Sequence, residues 1–247
     1  MSEPPIEIVA RPTLGRVHRG TRRVRLGDVD LDGVLRLDAV ARYLQDAGND
    51  DTDDAGLGNG GAWVTRRVVA EFEGAMPRYL DDVETFTFCG GYSKLVVERR
   101  TDIAHPRGAI RTATVWAYLD PSTMRPTAVP DWFHEIYAAT AAGRTVRGKL
   151  TLPPPAPDAS ARSLELRMTD FDVLGHVNNA IAWGVLQEEC LRHFGRSDIR
   201  RTVLEYSSAI EAGTAAIDVR SDGRDSSLSM WMMTGDEVCV AAWAAFA

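Results

Sequence analysis

Three cysteines, Cys89, Cys190 and Cys239, are all that the 247 residues contain. They are odd in number, far apart and without metal-ligand spacing, which argues against a disulfide framework and against a zinc site. A reducing cytoplasm suits such usage. Long apolar runs are missing too. No stretch approaches the roughly 18 consecutive apolar residues of a spanning helix, so no membrane span is expected. From Met1 to Arg16 there is no apolar segment of the kind that drives secretion. Nor is there a basic surplus, because the formal net charge is -7, the opposite of a generic nucleic-acid binder. What is present, 45% hydrophobic and 26% charged residues, describes a globular protein long enough to bury a core without staples. At about 150 residues per domain, the length leaves one domain or two open.

An internal repeat decides for two. Asp28-Val29-Asp30-Leu31-Asp32-Gly33 is matched by Asp170-Phe171-Asp172-Val173-Leu174-Gly175, and Leu44-Gln45-Asp46 by Leu186-Gln187-Glu188, both at an offset of 142 residues. At smaller offsets Glu71-Phe72 answers Glu205-Tyr206, and Thr114-Val115-Trp116-Ala117 answers Ala241-Ala242-Trp243-Ala244. Four matches in preserved order indicate a duplicated domain, and two copies are too few for a solenoid. Between them Pro153, Pro154, Pro155 and Pro157 forbid helix and favour an extended linker. The expected division is an arm over 1–20, a first domain over 21–150, a linker over 151–160 and a second domain over 161–247.

Each copy reads as strand, helix, then several strands. The short strands are expected at 22–26 and 164–168, where apolar residues partly alternate. The helices are expected at 35–47 and 177–190, and the second contains Ala180-Ile181-Ala182-Trp183-Gly184-Val185-Leu186, apolar on every face and therefore enclosed by protein. Strand-like runs come next at 63–72, 83–88, 94–99 and 110–119, and again at 202–210, 215–220, 227–233 and 238–246. A third, short helix is expected from Asp131, with Asp131 as its N-cap. The architecture is α+β: a long helix wrapped by a curved antiparallel sheet, made twice.

Chemistry concentrates in Thr169-Asp170-Phe171-Asp172-Val173-Leu174-Gly175-His176-Val177-Asn178-Asn179. One account is structural: Asn178 or Asn179 caps the helix, Gly175 turns the chain, and Asp172 ties the loop to backbone amides. The other is catalytic. A helix N-terminus offers unpaired N–H groups that polarise a carbonyl, and Asp172 or His176 beside them serves as base or nucleophile in acyl transfer.

The run Asp-x-Asp-x-x-Gly-His-Val-Asn-Asn resembles the signature of hotdog-fold thioesterases. From about residue 20 onward the chain resembles the acyl-ACP thioesterase family, which has two tandem hotdog domains. The matching first-half segments are Ala41–Ala47, Ala55–Leu57, Trp63–Arg67, Arg111–Trp116 and Pro130-Asp131; the second half adds Asp170–Asn179 and Leu204–Tyr206. This resemblance implies a thioester hydrolase of fatty acid biosynthesis that releases fatty acids from acyl carrier protein, without metal or organic cofactor. It implies catalytic roles for Asp172 and His176, acting through water or through an anhydride on Asp172. Amides near Gly175, Val177 and Asn178 would hold the oxyanion. The first copy has Val34-Leu35-Arg36-Leu37 where the second has His176-Val177-Asn178-Asn179, so the first has lost the chemistry. Its helix, through Val40, Tyr43, Leu44 and Ala47, would line the acyl tunnel, or simply pack as core.

Two departures stand out. Plant members of the family place an Asn where this chain has Leu174, and a Glu-Cys pair where it has Ala209-Ile210. Strand alternation would put Glu211 on the same face as Ala209, making Glu211 one substitute acid; Glu188 and Glu189, within the helix, are others. Arg11, Arg16, Arg19, Arg22, Arg23 and Arg25 form a run free of acids. It reads either as a solvated strand face or as a docking patch for an acidic carrier protein, with Arg19, Arg22, Arg23 and Arg25 at its centre. An acyl-CoA donor, a non-catalytic acyl-thioester binder, and further pairing into a homodimer stay open. A hotdog hydratase is disfavoured, because Leu174-Gly175 lacks the Asn and Pro of that motif.

Overall fold

A computed structural model describes residues 7–57 and 62–246. The chain falls into two compact units, one of residues 7–35 and 42–149, the other of residues 36–41 and 150–246. In the first unit the strands are β1 (His18–Arg23), β2 (Ala62–Gly74), β3 (Asp82–Tyr92), β4 (Val96–His105) and β5 (Gly108–Leu119). They pair antiparallel in the order β1-β3-β4-β5-β2. In the second, β6 (Ser160–Glu165), β7 (Ile199–Tyr206), β8 (Ala216–Arg224), β9 (Ser227–Thr234) and β10 (Glu237–Phe246) pair antiparallel as β6-β8-β9-β10-β7. With β1 set against β6, the two orders are the same order. The repeat seen in the sequence is a repeat of topology.

The helices are α1 (Leu37–Asp54), α2 (Asp131–Ala141) and α3 (Asn179–Phe194). Helix α3 packs on β8, β9 and β10, burying Ala180, Ala182, Trp183, Val185 and Leu186 against strands that contribute Leu228, Met230 and Met232. It starts at Asn178, whose side chain accepts the Ala180 N–H, and stops at Gly195, left-handed at φ 64°. Both long helices begin two residues later than expected and run on further, to Asp54 and Phe194. Helix α2 corrects another expectation: Pro130 is the N-cap, in an extended conformation, and Asp131 is the first helical residue. There its carboxylate still meets the positive end of the helix. Among the described residues, no helix is long and apolar enough to cross a membrane.

The expected strands 22–26 and 164–168 lie too far along the chain. Alternation continues past the point where hydrogen bonding ends, because residues 26–28 and 168–170 form a 3-10 turn in each copy. Asp28 closes the first by accepting the Arg25 N–H, and Asp170 closes the second by accepting the Arg167 N–H. The proline-rich segment forms neither helix nor strand, and the second unit holds it down. Glu205 of β7 accepts the Thr151 and Leu152 N–H groups, and the Trp231 indole donates to the Pro153 carbonyl.

One buried carboxylate ties the first unit together. Asp51 of α1 has no exposed surface, and it accepts from Arg16 Nε (2.8 Å), from Arg99 Nη1 of β4 (2.5 Å) and from the Tyr137 hydroxyl of α2 (3.0 Å). Removing it takes the carboxylate from the largely buried Arg99 guanidinium and leaves Arg16 with Asp54 alone among acids. Asp51→Ala is therefore expected to cost about 3–5 kcal/mol, read from the urea midpoint at unchanged slope.

Candidate active site

The loop entering α3 is built by aspartates that bond their own backbone. Asp170 is buried; its carboxylate takes the Arg167 N–H and guanidinium, and its carbonyl accepts the Asn178 N–H at 2.8 Å. Asp172 donates its N–H to the His176 carbonyl and accepts the Gly175 N–H, which folds the residues between them into a tight turn. Gly175 sits at φ +77°, a conformation that a side chain disfavours. The Asp172 carboxylate is held at both oxygens: Oδ1 accepts the Leu174 N–H at 2.9 Å, and Oδ2 accepts Nδ2 of Asn178 at 3.3 Å. Asn178 thus works at both ends of its amide, capping α3 with Oδ1 and anchoring Asp172 with Nδ2.

His176 is positioned from the other side. The Val177 N–H donates to the Ile210 carbonyl and the Ala212 N–H to the Gly175 carbonyl, forming a one-residue antiparallel bridge between His176 and Glu211. Nε2 of His176 lies 3.4 Å from Oε2 of Glu211. The carboxylate expected near the site is there, but for a different reason. Strand β7 ends at Tyr206, so Glu211 does not share a strand face with Ala209; the bridge brings it.

The expected oxyanion donors need correction. Amides of Gly175, Val177 and Asn178 are spent on the carbonyls of Asp172, Ile210 and Asp170. Among residues 174–178 only the His176 N–H lacks an acceptor among the described residues. The first copy shows why. There the same turn forms, with Asp30 N–H on the Val34 carbonyl, Gly33 N–H on Asp30, and Gly33 at φ +73°. But Oδ1 of Asp30 accepts both the Asp32 and the Val34 N–H groups. In the second copy the carboxylate leans instead to Asn178, and the amide equivalent to Val34 is released. Position 36, which corresponds to Asn178, is an arginine paired with Asp38 in the first copy.

Two family models match the chain, the acyl-ACP thioesterase N-terminal domain over residues 15–137 and the C-terminal domain over residues 155–239. The chain belongs to the acyl-ACP thioesterase family. An uncharacterised protein of Mycobacterium tuberculosis is 28% identical over 239 residues, covering 96% of this chain and 95% of the relative. Among solved structures, the 12:0-ACP thioesterase from Umbellularia californica superposes with a TM-score of 0.78 at 20% identity, covering 95% of this chain and 98% of that one. An acyl-ACP thioesterase from Bacteroides thetaiotaomicron gives 0.73 at 16% identity, covering 94% and 98%. The fold of this acyl-ACP thioesterase family member is accordingly the tandem double hotdog, and acyl thioester hydrolysis is the activity its site has to serve.

Other expected site residues lie elsewhere. Glu188 is roughly 15 Å along α3 from Asn178, at 1.5 Å per residue, and forms an exposed pair with Arg192 at 2.7 Å. Glu189 is buried, bonded to Arg162 and to the Ser221 hydroxyl. Neither reaches His176. Val40, Tyr43, Leu44 and Ala47 are all buried on α1, and the Tyr43 hydroxyl donates to Asp28. Burial first, and that bond second, push the Tyr43 phenol well above its ordinary range. The basic run is largely neutralised: Arg19 pairs with Glu84, Arg22 with Asp46, and Arg23 lies 3.9 Å from Asp82. Arg22 also covers the Tyr43 ring at 4.0 Å.

Tyr206 is the residue that sequence reasoning passed over. Its buried hydroxyl accepts the Trp183 indole N–H at 3.1 Å and donates to the Asn179 carbonyl at 3.3 Å, fixing the first turn of α3 on β7. A phenol is protonated at neutral pH in any case, and burial pushes its pKa further up. A signal existed, since the matching residue in the first copy is Phe72, which has no hydroxyl. Tyr206→Phe leaves the Trp183 N–H and the Asn179 carbonyl without this partner. Chemical unfolding should show a loss of about 1–3 kcal/mol.

Proposed function

We propose that this protein hydrolyses fatty acyl thioesters carried by acyl carrier protein, giving the free fatty acid and the carrier thiol. The observation that supports this reading is the difference between two otherwise equivalent turns. Only the second presents an anchored carboxylate, an imidazole and a released amide at the entrance of a buried helix. Asp172, held at both oxygens, keeps lone pairs for a water and has no need to swing toward a carbonyl, which favours the water route over an anhydride. His176 takes the water's proton and returns it to the departing sulfur. The His176 N–H, together with the positive end of α3, receives the charge that develops on the carbonyl oxygen. Leu174, where plant relatives place Asn, is 71% exposed and takes no part.

A second reading, acyl-CoA as donor, is favoured by one observation. The arginines expected to receive an acidic carrier already have carboxylate partners at Arg19, Arg22 and Arg23. Carrier docking through those side chains would compete with three internal ion pairs, and its rate would fall with salt more steeply than that of acyl-CoA.

Thiol release from matched acyl-ACP and acyl-CoA panels is the measurement that decides. Asp172→Ala and His176→Ala are each expected to lower kcat/KM by roughly 10²–10⁴ without unfolding the protein. Absence of release from every chain length would leave a binder rather than an enzyme. Full activity in Asp172→Ala would move the chemistry away from this loop.

A further inference from the structure

The bridge at His176 is more than a contact between two flexible side chains. Its flanking bonds, Val177 N–H to Ile210 and Ala212 N–H to Gly175, make His176 and Glu211 the non-hydrogen-bonded pair of an antiparallel ladder. Opposed side chains come closest at such positions, so the backbone alone obliges these two to be neighbours. The first copy contains the same bridge, with Leu35 N–H on the Pro77 carbonyl and Tyr79 N–H on the Gly33 carbonyl. There the opposed pair is Val34 and Arg78. Duplication preserved the backbone device and changed both side chains: imidazole against carboxylate in one copy, an alkyl group against guanidinium in the other.

We propose that Glu211 is a positioning residue that accepts the Nε2 proton of His176 and so reserves Nδ1 as the nitrogen that moves protons during hydrolysis. This rests on the thioesterase reading above. A neutral imidazole carries one N–H, and an ionised carboxylate can only accept, so an ion-pair contact of 3.4 Å between Oε2 and Nε2 favours the tautomer protonated there. The Asp172 carboxylate does not compete, because its oxygens face the Leu174 amide and Asn178. In the step itself, the water oxygen bonds to the thioester carbon, one water proton passes to Nδ1, and the carbonyl electron pair moves onto oxygen. On collapse the C–S bond breaks, sulfur takes the proton from Nδ1, and the acid, the thiol and a neutral imidazole remain. No further reactant is needed. Because both partners are partly or largely exposed, the pair adds little to folding, and its removal leaves a folded protein to assay.

Three variants separate positioning from bulk or charge. Glutamine at 211 keeps an acceptor, alanine removes it, and arginine, the first-copy residue, offers only donors. Long-range proton–nitrogen correlation spectra of histidine-labelled protein, with His176 assigned from His176→Ala, read the tautomer directly. The expected result is Nε2–H in the wild type and in Glu211→Gln, a mixture in Glu211→Ala, and Nδ1–H in Glu211→Arg. In parallel, kcat should fall roughly tenfold or more in the alanine variant and roughly a hundredfold or more in the arginine variant, with the glutamine variant between wild type and alanine and KM little changed. An Nδ1–H tautomer in the wild type, or undiminished kcat in the alanine and arginine variants, would overturn the assignment. Failure of the thioesterase reading is a separate result, since it appears as no release by the wild type, while the tautomer is read without substrate.

Discussion

An aspartate that bonds its own backbone two to four residues onward sets the entrance of the long helix in both halves. The turn closes through Asp30 and Gly33 in one copy and through Asp172 and Gly175 in the other, each with a left-handed glycine at its tip. The rest of the site depends on that closure. It fixes where the helix begins, and it brings the next residue opposite a distant segment across a one-residue bridge. Because the turn satisfies itself locally, it survives extensive change around it, as one carboxylate and one glycine are nearly all it requires.

On this common backbone the two copies differ by a few side chains whose effects compound. Asn178 draws the Asp172 carboxylate toward the helix cap, and the amide of His176 is thereby released; in the first copy Asp30 keeps the Val34 amide for itself. Tyr206 secures the first turn of α3 with a hydroxyl that Phe72 lacks. Glu211 faces an imidazole where Arg78 faces valine. Each change is small in free energy, within the range of one hydrogen bond. Together they turn a structural turn into one with a held acid, a titratable ring and an open donor.

The parts of this arrangement that were legible in the sequence are those whose partners lie nearby. The Asp-Gly-His-Asn spacing, a helix cap at Asn178 or Asn179 and the duplication come from residues within a dozen positions or from direct comparison of the halves. What could not be read depends on partners remote along the chain. Amides at Val177 and Asn178 read as oxyanion donors in the sequence, but the carbonyls of Ile210 and Asp170 take them. The arginines between 19 and 25 looked like a bare basic patch because Glu84, Asp46 and Asp82 are far off in sequence. Alternation puts the short strands too late because it is a property of side chains, whereas a strand ends where its ladder does, here just before a 3-10 turn closed by Asp28 or Asp170. Strand alternation would place Glu211 beside Ala209, whereas a one-residue bridge sets it opposite His176.

Burial explains why the polar machinery stays confined to this turn. Beyond Asn178 the helix presents Ala180, Ala182, Trp183, Val185 and Leu186 to the sheet, and a charge there would need a partner as costly to place as the one Glu189 finds in Arg162. On the other side Val173 and Leu174 stand in water, where an acid or base would hold its ordinary solution chemistry and no fixed orientation. Only the few residues between these limits are both partly shielded and reachable. Asp172 and His176 occupy that boundary, half-buried, and the bridge brings the Glu211 carboxylate to it by backbone pairing.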